Sequence, residues 1–248
     1  MAVLDVRDPV AVAVTEAIRG GDVAALRALL AARPWLASAA IRQDGEAAGT
    51  RSLLHIATDW PGHFPRSPEV IAALVAAGAD PDARFVGAHT ETPLHWAASN
   101  DDVAALDALV AAGADIEADG AVVAGGTPLA DARAFGQWRA ARRLLEHGAR
   151  TTLQDAATLG LLDRVEGLVE GRVAEEDGSG RPDRDDITSA FWGACHGGQL
   201  ATAQYLLRQG ADPDRVGYDD RTPLDIAVAA GADDVAAWLR GRGARTRP

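Results

Sequence analysis

The sequence is poor in the residue types that several common functions need. It contains a single cysteine, Cys195, so it can form neither an intramolecular disulfide nor a cysteine-based zinc site. It contains no lysine, and its 36 acidic residues outnumber its arginines, which gives a formal net charge of −12. A charge of this sign repels phosphate backbones and anionic lipid headgroups, so we expect neither a nucleic-acid partner nor a membrane partner.

Long apolar stretches and catalytic motifs are also missing. No stretch approaches the roughly 18 apolar residues of a membrane-spanning helix, and residues 1–14 lack the basic flank and continuous apolar core of a signal peptide. No Gly-rich phosphate loop or nucleophile elbow is present. We therefore expect a cytoplasmic protein that uses no cofactor and no metal, and the sequence leaves open whether it is an enzyme.

What the sequence does contain is an internal repeat. The phrase Thr-Pro-Leu-His-Trp-Ala-Ala at residues 92–98 returns in shortened form at Thr127 and Thr222, and each of these three units closes on Gly-Ala. Less perfect copies fill residues 52–80, 152–171 and 189–212, and residues 15–34 predict a terminal hairpin without the opening phrase. The repeat therefore covers nearly the whole chain.

The repeated phrase predicts a pair of helices. Threonine supplies an N-cap oxygen for free backbone N–H groups, and proline takes the first helical position, where its missing donor costs nothing. The closing glycine favours the left-handed conformation that ends a second helix. Such a hairpin is too small to bury its own apolar face, so the sequence predicts a stack of hairpins.

These phrases resemble the ankyrin repeat, whose Thr-Pro-Leu-His-x-Ala signature and period of about 33 residues they match. The resemblance implies an all-α solenoid of helical hairpins with short β-turn fingers, and a concave groove through which family members usually bind another protein. It also implies that His55 and His95, the signature histidines, satisfy backbone groups near the fingers. We predict one domain, residues 1–248, made of an N-terminal cap and six repeats: 1–50, then about 51–90, 91–125, 126–150, 151–186, 187–220 and 221–248.

The connections between repeats are uneven. Residues 80–92 and 115–127, which we call the first and second fingers, are longer than the third finger, residues 212–222. Between the third and fourth repeats no residues remain for a finger, which predicts a notch. The connection 172–186 is acidic and contains Gly178-Ser179-Gly180, so we expect a mobile loop beside that notch.

Two carboxylates mark the central repeats. Asp131 and Asp155 are placed by the alignment where other repeats carry the apolar residue after the signature histidine, so we expect them to share one column. Because a buried carboxylate needs a partner, either Arg133 neutralises them or the column faces solvent or a ligand. The alternative is an acid–base pair in which one carboxyl raises the pKa of the other, with His196 as a proton carrier.

Candidate binding residues come from the positions that the family points into the groove, and from the insertion and finger nearby. Trp192 stands in place of the signature histidine in the fifth repeat. His89 and Glu91 precede His95, but the three lack the helical i, i+4 spacing of a metal site. The candidate set comprises Asp59, Trp60, His63, His89, Glu91, Trp96, Arg133, Phe135 and Trp192.

Two functions follow from these residues. The first is a recognition module that binds a protein partner through its concave groove, with the aromatic residues as anchors. The alternative is an aromatic and carboxylate-lined pocket at the missing finger, in which Asp131, Asp155 and His196 carry out acid–base or cation-stabilising chemistry. Aromatic faces and carboxylates both favour positive charge, so that pocket would take a small cationic ligand.

Overall fold

The computed structural model describes residues 2–43, 48–174, 180–217 and 220–246. These residues form two compact units, Met1–Ala149 and Arg150–Pro248. Both units are built from helical hairpins, which confirms the predicted fold class. The prediction that one domain spans the chain stays a prediction. The predicted mobile connection 172–186 includes residues 175–179, which lie outside the described residues.

The first unit contains the cap and three repeats. Its described elements, in chain order, are β1 (Val3–Asp5), α1 (Pro9–Arg19), α2 (Val23–Ala32), a 3₁₀ turn (Pro34–Ser38), β2 (Ala40–Gln43), β3 (Gly49–Ser52), α3 (Leu53–Ala57), α4 (Ser67–Ala76), α5 (Pro93–Ser99), α6 (Val103–Ala111), α7 (Pro128–Ala134) and α8 (Trp138–Glu146).

The second unit contains three further hairpins. Its described helices are α9 (Leu153–Leu159), α10 (Leu162–Val169), α11 (Arg184–His196), α12 (Leu200–Arg208), α13 (Pro223–Ala229) and α14 (Asp233–Gly241). Within the described residues, no helix is both long enough and apolar enough to cross a bilayer.

Inside each unit, the first helices of successive hairpins pack on one another, and so do the second helices. In the first unit α5 contacts α3 and α7, while α6 contacts α4 and α8. In the second unit α11 contacts α9 and α13, and α12 contacts α10 and α14. The paired alanines Ala97 and Ala98 are fully buried in α5, where their small side chains let neighbouring helices approach closely. Leucines such as Leu94 and Leu106 fill the space between the helices.

The terminal hairpin begins earlier than the sequence suggested. Asp8 caps α1 by accepting the backbone N–H of Val10 at 2.7 Å, and Pro9 takes the first helical position. Asp-Pro therefore does here what Thr-Pro does in the repeats, because an aspartate oxygen caps as well as a threonine hydroxyl. The prediction that this hairpin starts at Thr15 without an opening phrase is wrong.

A small sheet joins the cap to the first repeat, which the sequence analysis did not predict. Its order is β1-β2-β3, with Val3 paired to Ala40 in parallel and Ala40 paired to Ser52 in antiparallel register. The first finger attaches to β3, since Thr50 and Val86 exchange backbone hydrogen bonds of 2.8 and 2.9 Å. The sheet leads directly into α3 and so fixes where the first repeat begins.

The two signature histidines, His55 and His95, each connect their own repeat to the following one. Nδ1 of His95 accepts the backbone N–H of Thr92 at 3.1 Å, which leaves the proton on Nε2. Nε2 then donates to the Gly126 carbonyl at 3.2 Å, one residue before the N-cap of α7. His55 makes the same pair of contacts with Ser52 and with the Glu91 carbonyl, the latter at 3.1 Å. The structural role predicted for both histidines is confirmed.

Acid should unfold the first unit partly through these two rings. Burial lowers the pKa of His55 and of His95 to about 4, against 6.5 for a free histidine. Their contribution to the free energy of unfolding is therefore complete above pH 6.5. As the pH falls towards 4, that free energy drops by about 3 kcal/mol for each ring. We expect ring-proton NMR to show both rings neutral at pH 5, and a pKa above 6 for either His55 or His95 would contradict the assignment.

Candidate functional site

Asp155 occupies a different position in its helix from that of Asp131 in α7. Asp155 is the third residue of α9 and accepts the Thr152 backbone N–H at 3.0 Å and the Thr152 hydroxyl at 2.7 Å. Asp225 caps α13 through Thr222 in the same way. Asp131 is the fourth residue of α7, one position later in its helix. The predicted column is wrong because α9 begins after Thr152, so Asp155 occupies the position of the signature histidine.

Asp131 is instead close to Glu91 in the first unit. Its carboxyl group is fully buried, and among the described residues neither oxygen accepts a hydrogen bond of normal geometry. Burial and, to a smaller extent, like-charge repulsion from the Glu91 carboxyl together raise the pKa of Asp131 to about 7. Backbone N–H groups of Val122 and Val123, in the second finger, and the charge of Arg133, the smallest of these effects, act in the opposite direction. Arg133 makes no hydrogen bond of normal geometry to Asp131.

Glu91 is the partner that the sequence analysis did not assign to Asp131. It lies just before the N-cap of α5 and is 7% exposed, and desolvation raises the pKa of its carboxyl. The Trp96 indole N–H and the charge of His89 lower that pKa in part. Two carboxyl groups with raised pKa values thus lie together beneath the second finger.

Trp96 belongs to an aromatic cluster. Its ring centroid lies 4.8 Å from that of His55 and 5.6 Å from that of Phe85. Phe85 comes from the first finger and was absent from the candidate set, because a single phenylalanine in a connection carries no repeat signal. With its indole N–H on Glu91 and its ring on two neighbours, Trp96 packs the first finger against α5.

The insertion after α3 is held by polar contacts. Asp59 accepts from Arg19 at 2.5 Å and from Arg51 at 2.8 Å, so its charge is neutralised within the unit. The backbone N–H of His63 donates to Asp102 at 2.6 Å, and its ring contacts the Asn100 carbonyl at 3.0 Å. Asp59 and His63 therefore anchor the insertion, and between them Trp60 is left 79% exposed.

Trp60 has an equivalent in the third repeat. Trp60, Asn100 and Phe135 stand at the same offset from the N-cap residues of α3, α5 and α7. Phe135 is 49% exposed, and the Asn100 amide donates to the Thr58 carbonyl at 2.8 Å. Two exposed aromatic side chains therefore lie at matching positions on either side of a fixed asparagine.

In the second unit, Trp192 replaces the signature histidine chemically as well as by position. Its indole N–H donates to the Arg221 carbonyl at 3.1 Å, one residue before the N-cap of α13. This is the bond that His55 and His95 make in their own repeats. The helix that carries it begins at Arg184 with Asp183 as its cap, and not at Ser189 as the sequence suggested.

Trp192 also borders a cleft of about 290 Å³, whose wall includes Gln154, Ser189, Arg215 and Val216. The His196 ring lies 5.7 Å from the Trp192 ring. Among the described residues, no group of three histidine, cysteine, aspartate or glutamate side chains has the arrangement of a metal site. The single cysteine, Cys195, is buried, and burial raises the pKa of its thiol.

Removing the indole N–H of Trp192 should lower the stability of the second unit. Trp192→Phe keeps an aromatic ring but leaves the Arg221 carbonyl without this donor, so we expect the free energy of unfolding to fall by about 1 kcal/mol. Urea denaturation measures the change. Trp35→Phe is the matched control, because Trp35 is 44% exposed and lies in the cap. Equal stability of the two variants would contradict the role assigned to Trp192.

Comparison with known proteins identifies the repeats. A family model described as ankyrin repeats in three copies matches residues 66–155, and one described as ankyrin repeats in many copies matches residues 192–240. Ankyrin repeats are a general protein–protein interaction module.

Individual relatives match a shorter stretch. "Ankyrin repeat family A protein 2" of Mus musculus is 33% identical over 63 residues, 25% of this chain and 20% of the relative. "Ankyrin repeat and KH domain-containing protein mask-1" of Caenorhabditis elegans is 42% identical over 53 residues, 21% of this chain and 2% of the relative. The chain thus matches a fifth or less of each relative's length. Because the family models coincide with the stacked hairpins of both units, the chain belongs to the ankyrin repeat family.

Proposed function

We propose that this chain is a recognition module that binds a protein partner through the concave groove, with Trp60 and Phe135 as its anchors in the first unit. The observation that carries the proposal is the exposure of Trp60, 79%, at a repeat position where Phe135 is exposed as well. A side chain of this size in water forgoes a large hydrophobic gain, and exposed aromatic pairs of this kind mark interaction sites.

The surroundings of Trp60 support a role in binding. The segment that carries it is fixed on one side by the ion pairs of Asp59 and on the other by the contacts of His63 with Asn100 and Asp102. A fixed backbone loses little conformational entropy when a partner docks, so more of the interaction energy appears as affinity. The insertion thus presents an aromatic anchor on a rigid support.

Net charge indicates the kind of partner. The chain carries −12, which favours association with a basic surface and disfavours an acidic one. Asp59, the acidic candidate beside Trp60, is already paired with two arginines. The proposed contact is therefore aromatic at its centre, with the acidic field of the chain acting over a longer range.

Selection from a peptide library tests the proposal directly. A displayed random-peptide library is selected on the wild-type chain, and the affinity of the best binders is then measured by fluorescence anisotropy. We expect Trp60→Ala and Phe135→Ala each to weaken binding at least 10-fold, as buried aromatic anchors do.

Trp35→Ala is the matched control, because it removes an exposed tryptophan from the cap, away from the proposed anchors. We expect this variant to bind like the wild type. Binders that tolerate both anchor substitutions, or that lose equal affinity with Trp35→Ala, would disprove the assignment of the anchors.

A further inference from the structure

The second finger covers a carboxyl group that has no firm hydrogen bond. Ala118 and Ala121 of this finger are buried, and the finger closes on itself through hydrogen bonds of 3.0 Å from Gly120 to Gly125 and from Ala121 to Gly126. Beneath it lies Asp131, fully buried and lacking a hydrogen bond of normal geometry among the described residues. Buried polar groups almost always have such partners, so this exception needs an explanation.

Ionisation of Asp131 changes the energy of that arrangement. A neutral carboxyl group tolerates the buried position, whereas a carboxylate there loses its hydration and faces the nearby Glu91. The backbone N–H groups of Val122 and Val123 offer only partial compensation. Val122 and Val123 of the finger adjoin the buried carboxyl group, so movement of the finger gives water a route to the carboxylate.

We propose that the second finger, residues 115–127, is a protonation-dependent latch that stays closed over α7 while Asp131 keeps its proton and opens as Asp131 ionises. The step releases one proton from the Asp131 carboxyl group to solvent and involves no bond other than the O–H bond. The latch goes beyond the proposed function, because its opening requires no binding partner.

The finger is attached lightly enough to move. Its outer contacts are the ion pair between Arg84 and Asp119 at 2.8 Å, a hydrogen bond from Arg84 to the Asp119 carbonyl, and one from the Asp115 N–H to Asp82 at 2.8 Å. These contacts are solvent-exposed, and exposed ion pairs contribute little to stability. The backbone of the finger also passes close to Thr90, where any side chain at Gly120 would collide with the Thr90 carbonyl. The closed state is thus well fitted, while its outer contacts are open to water.

Several titratable groups face this site and must be separated from Asp131. Glu91 and His95 approach from α5 and the residues before it, Arg133 from α7 itself, and Asp119 from the finger. His95 acts in the opposite direction, since burial disfavours its charged form and protonation in acid removes the Nδ1 acceptor of the Thr92 N–H, although the bond from Nε2 to the Gly126 carbonyl remains. Glu91 acts in the same direction as Asp131, because desolvation raises the pKa of both groups.

The sign and size of the effect follow from linkage. The closed state holds the pKa of Asp131 at about 7, whereas an exposed aspartate titrates near 3.8. Opening therefore becomes about 10-fold more favourable for each pH unit between these values and levels off above pH 7. From pH 5 to pH 7 the expected change is about 100-fold.

Amide hydrogen exchange of residues 118–126 tests the latch, after correction for the intrinsic pH dependence of exchange. We compare the wild type with Asp131→Asn, which keeps the shape of the side chain but cannot ionise. Dividing the wild-type protection by that of the variant removes the contribution of His95. We expect this ratio to fall about 100-fold from pH 5 to pH 7, while Leu106 and Leu109 in α6 stay unchanged.

A second variant keeps the test decisive if Asp131→Asn folds poorly. Glu91→Gln removes the neighbouring negative charge and lowers the pKa of Asp131 in the closed state, so the loss of protection should level off at a lower pH and be smaller in total. A ratio that does not change between pH 5 and pH 7, or a Glu91→Gln variant with the wild-type pH profile, would overturn the proposal.

Discussion

The structure depends on one repeated hydrogen bond, from a ring N–H on an inner helix to the carbonyl before the next inner helix. His55 donates to Glu91, His95 to Gly126 and Trp192 to Arg221, and each acceptor precedes an N-cap threonine. In the two histidine repeats the same ring also accepts the N–H of its own N-cap residue. One side chain therefore fixes the start of a helix and its distance from the following repeat.

This bond explains where the repeats depart from their own pattern. A donor ring is present in the first, second and fifth repeats, each of which is followed by a finger whose last carbonyl it holds. In the third repeat the position is taken by Ala130, which has no polar side chain, and no finger follows. In the last repeat Asp225 accepts hydrogen bonds from the Thr222 N–H and hydroxyl at the start of the helix. The ring is thus retained where a finger has to be held.

The sequence predicted the parts of the fold that this local chemistry controls. Thr-Pro phrases and Gly-Ala ends indicated the helices α5 to α8 and α13 to α14, because capping and helix termination are set within a few residues. The small sheet was not predicted, since Val3–Asp5 pairs with Ala40–Gln43 far along the chain and its residues show no repeat. Asp155 was aligned one residue too late, because it was matched to Asp131 as if the opening phrase of the fourth repeat began at Thr151, whereas Thr152 is the N-cap of α9.

In the candidate site, too, features set by neighbouring residues could be predicted from the sequence, and features set by contacts between distant residues could not. Exposure of Trp60 could be predicted, because it lies in an insertion that the repeat does not need. The pairing of Asp131 with Glu91 could not, since it depends on how α7 stacks on α5 and the residues before it. Asp131 occupies a position where other repeats carry Trp96 or Ile226, so its polarity opposes the stacking that holds the array together. A residue that weakens the local packing, placed under a finger longer than the third, is better explained by movement of that finger than by stability of the repeat.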